Sequence, residues 1–291
     1  TSNLQKDNNS QKMEADLIKA AKITNDDTNY RLLTQFYLYK TQQLLSASST
    51  DTTELQKQVL ASLNNAIASS KTAISIDSND YNNYMSLGSI YAFWMGLDKE
   101  NKEQYYKNAK DVYTQALTVY PKNPTILLTL AQLEYSYSQD STATINSIQK
   151  SLDLKPNYSA AYSMLSQLAS QNNDREGALK YATQAVQADP NSVDAYIQFG
   201  ILSLGTKTPT KEDLSNAYFA FSTVLQADSS NLTAAYYLAI TFTLAKDYAN
   251  ANALADSLLK SLPDEEKIKE LKTYIATEQG KSSTQTTTTT K

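Results

Sequence analysis

A turn that recurs at a nearly constant interval constrains this chain more tightly than its composition does. Tyr-Pro-Lys-Asn at Tyr120–Asn123, Lys-Pro-Asn at Lys155–Asn157 and Asp-Pro-Asn at Asp189–Asn191 close successive stretches of similar pattern. The turn residues Ser78, Pro121, Pro156, Pro190, Ser229 and Pro263 are separated by 43, 35, 34, 39 and 34 residues, a basic period of 34 with insertions in two units. A period of this length marks a solenoid, in which each unit buries its apolar face only by stacking on its neighbours. The 291 residues therefore read as one continuous array.

Within the clearest unit, Tyr84, Leu87, Gly88 and Tyr91 fall on one face of a first helix, and Ala109, Tyr113 and Ala116 on one face of a second that stops at Tyr120-Pro121. Gly88, Ala109 and Ala116 let the two helices approach closely, and Gly88 does so at a helix-propensity cost of about 1 kcal/mol. Pro121 cannot continue a helix, so it separates one unit from the next. The pattern repeats through Leu127, Leu130, Ala131 and Ile148, with Thr144 and Ser151 at the small positions. It continues through Tyr162, Leu165, Ala169, Ala178, Ala182 and Ala185, then Tyr196, Phe199, Gly200, Ala217, Phe221 and Val224, and last Leu238, Ala239, Phe242, Ala251, Ala255 and Leu258.

These residues resemble the tetratricopeptide repeat, whose signature is an aromatic, Leu-Gly, aromatic first helix and an Ala, aromatic, Ala second helix ending in Pro. The resemblance implies an all-α, right-handed α-solenoid of helix-turn-helix repeats, with about six units, partial ends and a C-terminal capping helix. It is strong from Tyr81 to Leu262. Upstream, Asn29–Leu45 and Thr53–Ile76 read as a degenerate unit preceded by a half unit, Met13–Ile23. Downstream, Ile268, Leu271 and Ile275 give Asp264–Gln279 one sparse apolar stripe, as expected of a cap with one wet face. The expected organisation is a polar linker at 1–12, the solenoid at 13–279 and a disordered Thr-rich tail at 280–291.

Composition narrows the chemistry. With no Cys and no His, thiol catalysis, His general bases and imidazole or thiolate metal sites are excluded, and no catalytic residue, cofactor or metal is expected. The net charge of −4 and scattered Lys argue against nucleic acid, which requires clustered cations. The longest mostly apolar stretch, about Ser86 to Leu97, is shorter than the roughly 20 residues of a membrane span.

The resemblance also places ligand contacts on the first helices, which line a concave wall in this family. Carried onto this sequence, it nominates Ser89, Gln132, Tyr135, Ser163, Gln167, Ile197, Tyr236 and Ile240, with Met85, Ala92, Leu128, Ser170, Ile201, Leu204 and Thr243 beside them. None is charged. Where relatives that grip acidic chaperone tails carry Lys, Arg and Asn, this chain offers Asn82, Ser86, Thr129 and Gln198, so that clamp is effectively absent. A groove of amides, hydroxyls, Tyr and aliphatics suits a neutral or amphipathic peptide or helix, with a glycan as a further candidate. The same side chains can equally serve to pack neighbouring first helices. Phe93, Trp94 and Met95, next to the inserted Gly96–Tyr106, form either a binding edge or rings buried by a lengthened helix pair, and burial is the favoured reading.

The expected function is a non-catalytic protein-interaction scaffold. The alternative rests on a second resemblance: Ile76–Tyr81 leading into Leu87–Tyr91 is similar to the repeat regions that follow the membrane spans of bacterial O-antigen-ligase-like proteins. That resemblance implies a soluble extracytoplasmic domain, tethered by sequence upstream of Thr1, serving envelope glycan assembly. Abundant Asn, Lys, Tyr, Ser and Thr with only two Arg is compatible with such a bacterial, outer-face location.

Overall fold

The computed structural model describes residues 2–46, 52–205 and 208–288. Among them the chain forms fourteen α-helices and no strand, divided into two compact units, Thr1–Leu154 and Lys155–Lys291.

The first unit holds α1 (Ser2–Thr24), α2 (Asp27–Ser46), α3 (Thr52–Ile76), α4 (Tyr81–Leu97), α5 (Lys102–Val119), α6 (Pro124–Ser138) and α7 (Ser141–Leu154). Here α2 packs with α3, α4 with α5 and α6 with α7. The second unit holds α8 (Ser159–Gln171), α9 (Arg175–Ala188), α10 (Val193–Leu204), α11 (Lys211–Ala227), α12 (Leu232–Leu244), α13 (Tyr248–Ser261) and α14 (Glu266–Thr288). Its pairs are α8 with α9, α10 with α11 and α12 with α13, closed by α14. Six helix pairs flanked by single helices is the organisation that the repeat spacing predicts. Helix α1 begins at Ser2, inside the segment read from sequence as a linker, and α14 runs to Thr288, into the segment read as a tail; residues 289–291 of that tail lie outside the described residues.

The small residues do what the pattern asks of them. Ala109, Ala116, Ala178, Ala182, Ala185, Ala217, Ala251 and Ala255 are all fully buried at helix crossings. Where a crossing residue is polar it finds a partner: Ser151 Oγ donates to the Pro124 carbonyl at 2.7 Å, and Ser166 Oγ to the Ala178 carbonyl at 2.8 Å. Buried hydroxyls therefore bridge helices at no cost in unpaired donors.

Side chains cap the helix starts. Asn123 Oδ1 accepts from the Thr125 amide just before Pro124, and Asp80, Asp174, Ser192, Asn231 and Asp247 make equivalent bonds. Tight turns inside the short pairs use a left-handed residue, Gln139 (φ 58°), Asn173 (φ 59°) and Lys246 (φ 64°), none of them glycine.

The first insertion lengthens helices more than the loop between them. The Gly96–Tyr106 segment is absorbed by α4 and α5, leaving only Asp98–Asn101 between them. There the Asp98 carboxylate accepts from the Asn101 side chain and from the amides of Asn101 and Glu100, and these bonds hold its pKa below the ordinary value. Met95 is buried, Phe93 and Trp94 are half-buried, and the indole of Trp94 stacks on Tyr105 at 4.9 Å. The lengthened pair thus shelters its own rings.

At the C-terminal end, Ile268, Leu271 and Ile275 of α14 are buried against Ala251, Ala255 and Leu258. The predicted capping stripe is in place.

Candidate functional site

Each unit carries a cleft on its first helices. In the first unit, Ala92, Met95 and Gly96 of α4, Tyr113 of α5 and Thr129, Gln132, Leu133 and Ser136 of α6 surround a space of about 640 Å³, with Lys99 and Lys102 at its side. In the second, Gln167, Ser170 and Gln171 of α8 face Asp194, Ile197, Gln198, Ile201 and Leu202 of α10 around about 330 Å³.

The eight nominated residues all sit on first helices: α4, α6, α8, α10 and α12. The clefts gather three of them. Gln132 is exposed in the first cleft, and exposed Gln167 with half-buried Ile197 line the second. Ser163 lies beside the second cleft, where its carbonyl accepts from Gln198 Nε2 at 3.0 Å. Ser89 is exposed and donates to the Ser86 carbonyl at 2.8 Å, while Tyr135 is half-buried further along α6. Neither lines a cleft.

Tyr236 and Ile240 also stand apart, partly buried against the Ala239–Ala251–Leu258 cluster. The Tyr236 ring meets Tyr237 edge-on at 5.4 Å, and burial, with Tyr237 and Glu270 nearby, raises its phenol pKa. Two flanking residues belong to the interior: Leu128 is buried, and Thr243 is buried with its hydroxyl donating to the Ala239 carbonyl at 2.8 Å. Both sit on the packing side of their helices.

Sequence reading missed Lys99, Lys102 and Tyr113. The two lysines sit in an insertion outside the repeating register, and Tyr113 occupies a signature packing position. Its phenol is indeed in the packing: the ring lies where a Cβ on Gly88 would go, 2.3 Å from Cε1, and burial pushes its pKa well above the usual tyrosine range. Lys102 Nζ donates to the Tyr137 carbonyl at 3.0 Å and lies 5.2 Å from the centre of the Tyr137 ring. The second cleft holds one charge, the exposed Asp194. Among the described residues no group of carboxylates is placed to hold a metal ion, and no helix is long and apolar enough to cross a membrane.

Helix pairs with an aromatic and Gly in the first helix and Ala, aromatic, Ala in the second define a tetratricopeptide-type solenoid fold. Solved structures agree. The chain superposes on yeast Tom70 with a TM-score of 0.61 at 14% identity, over 95% of this chain and 60% of that one. It superposes on Pseudomonas aeruginosa PilF with a TM-score of 0.55 at 14% identity, over 85% and 96%. For TTC0263, a tetratricopeptide repeat protein of Thermus thermophilus, the TM-score is 0.52 at 18% identity, over 70% and 95%. No family profile and no curated protein matches the sequence. The likeness is one of fold, and none of these comparisons supports the O-antigen-ligase-like resemblance.

Proposed function

We propose that this chain is a non-catalytic interaction scaffold that takes a neutral or amphipathic peptide or helix on its first-helix surfaces. One observation carries the reading: small residues occupy the crossings, while amides, hydroxyls and aliphatics that the packing does not consume converge on two clefts. In the second cleft, Gln167, Ser170 and Gln171 stay exposed opposite Ile197 and Ile201. Such a surface hydrogen-bonds an extended backbone and accepts alternate apolar side chains without desolvating a charge. Tetratricopeptide folds host many functions, so the site and not the fold supports the proposal.

Selection from a library of short random peptides displayed against the whole chain tests it. The expected winners are apolar–polar sequences that lose binding when Gln167 and Ile197 are replaced by Ala and Ser. Winners with no shared pattern, or winners indifferent to those replacements, would remove the basis for the proposal.

A further inference from the structure

The first cleft points to a more particular partner. We infer that it receives a peptide segment in which an acidic side chain adjoins an apolar one, the carboxylate meeting Lys99, Lys102 and the Tyr113 hydroxyl. The inference rests on the scaffold reading above and specifies one position of the bound segment.

Three observations converge. The floor is apolar, made by Ala92, Met95 and Leu133 with the ring of Tyr113. Tyr113 is only 3% exposed, yet its hydroxyl has no hydrogen-bond partner among the described residues, although it lines the cleft. The phenol O–H therefore opens into the cleft with its donor unspent on protein, and it can bond an acceptor that fills the space.

Charge supplies the third. No acid lines the cleft, and the acids around it are engaged elsewhere: Asp98 in its own turn, Glu103 with Lys107 at 2.6 Å, and Glu134 with Lys110 at 2.9 Å. Glu100 is exposed and outside the lining. Neither Lys99 nor Lys102 has an ion-pair partner among the described residues, and Lys102 is held by a neutral carbonyl and a ring. Two ammonium groups and an O–H beside an apolar floor complement a carboxylate on an apolar segment. The lysines come from the α4–α5 insertion and not from the first-helix faces, so the site is separate from the uncharged positions that the repeat register nominates.

The test titrates the full chain, ¹³C-methyl-labelled at Met and Ala, with a capped Leu-Glu-Leu peptide and with its Leu-Gln-Leu counterpart. The Met95 and Ala92 signals are expected to shift, with the Glu peptide binding roughly three- to tenfold tighter and losing that advantage in high salt. The advantage is also expected to vanish in Lys99→Met/Lys102→Met and to shrink in Tyr113→Phe, which keeps the ring against Gly88. Equal binding of both peptides overturns the carboxylate assignment while leaving the scaffold reading intact. Silence of Met95 and Ala92 with either peptide removes the cleft as a peptide site altogether, and the scaffold reading then stands or falls on the second cleft.

Discussion

Gly200 of α10 lies flat against the ring of Phe221 on α11, so close that a Cβ at position 200 would fall 2.5 Å from the ring Cζ. The same relationship joins Gly88 of α4 to Tyr113 of α5 in the other unit. In each case the helix gives up a better helix former so that a full aromatic ring can lie in the crossing, and Phe221 ends up completely buried. Among the pairs from α4 to α13, these two have the longer connections, four and six residues against two or three. A ring seated on glycine fixes the crossing where the tight left-handed turn of the shorter pairs is missing.

Gly200→Ala is therefore expected to destabilise the second unit. Overpacking costs about 1–3 kcal/mol, and the helix-propensity gain of roughly 1 kcal/mol offsets only part of it. Urea denaturation followed by circular dichroism should show a lower midpoint, and pairing the change with Phe221→Leu should recover part of the loss. A midpoint at or above that of the parent chain would mean that the ring moves aside freely.

Lys246 makes the opposite case. Its φ of 64° lies in the left-handed region, which a side chain with a Cβ adopts only with strain, and its amide donates to the Thr243 carbonyl at 3.0 Å. Lys246→Gly is expected to stabilise by about 0.5–1 kcal/mol, since the backbone preference of glycine matches the turn. Thermal melting checks it: the midpoint should rise. A fall would show that the Lys side chain contributes more than its backbone costs.

Arg31 ties α2 to α4 in a way that no local pattern reveals. Its Nη1 lies 2.6 Å from Asp27 Oδ2, 2.5 Å from Asp80 Oδ2 and 2.7 Å from Asn83 Oδ1. Asn83 is fully buried and spends its own amide on Asp27 and on the Ala73 and Asp77 carbonyls. Arg31→Met would leave two carboxylates facing each other without a cation. Because these side chains keep about a fifth of their surface in water, the expected loss is roughly 2 kcal/mol, below the full cost of stranding a buried charge. Trp94 is the only tryptophan and lies in the first unit, so its fluorescence reports this unit's unfolding. That transition should move to lower urea, with Arg31→Lys intermediate because the ammonium keeps the charge on a shorter side chain and loses the Thr28 hydroxyl that Nη2 reaches at 3.2 Å.

The contrast between these elements shows what a single sequence discloses. Crossing residues such as Ala109, Ala185 and Gly200 are legible because helix contact requires small side chains at fixed spacing, and that requirement repeats every 34 residues or so. Arg31 is not, since its partners Asp80 and Asn83 lie 49 and 52 residues away and one Arg looks like any solvated cation. The first cleft was hidden for a related reason. It depends on how far α4 and α5 extend through an insertion, which carries Lys99 and Lys102 out of the register from which the groove was read. The place of Gln132, Gln167 and Ile197 in the cleft linings is legible because they lie in register, flanking the packing positions on the first helices.

Acid should weaken the start of α11. The Thr210 amide donates to Asp213 Oδ2 at 2.9 Å while the Asp213 amide donates to Thr210 Oγ1 at 3.1 Å, a reciprocal cap. The Thr210 amide bond, aided by the Arg175 guanidinium, holds the Asp213 carboxyl below its ordinary 3.8. A carboxyl depressed on folding contributes stability above its unfolded pKa and loses it as the pH falls through the folded one. Asp213→Asn is thus expected to cost about 1 kcal/mol at neutral pH. The gap to the parent chain should close as the pH drops below 3.8, where the parent loses the same interaction. Urea midpoints measured across that range decide it: a gap that stays constant with pH would show that the carboxylate charge contributes nothing.

The groove positions separate into two classes by burial, and their substitutions should behave accordingly. Gln132 and Gln167 are exposed and line the two clefts, so replacing both by Ala should change stability by no more than about 0.5 kcal/mol. Tyr236 is half-buried against Tyr237 and the Ala239–Leu258 cluster, and removing its ring forfeits packing as well as any contact. Tyr236→Ala is expected to cost about 1–3 kcal/mol on its own, which makes it unsuitable as a probe of binding alone. The Gln132→Ala/Gln167→Ala double variant isolates the surface: its melting curve should overlay that of the parent chain while its affinity for selected peptides falls. A shifted melting curve would assign the two amides to helix packing. An unshifted curve with unchanged affinity would place the bound peptide away from both clefts.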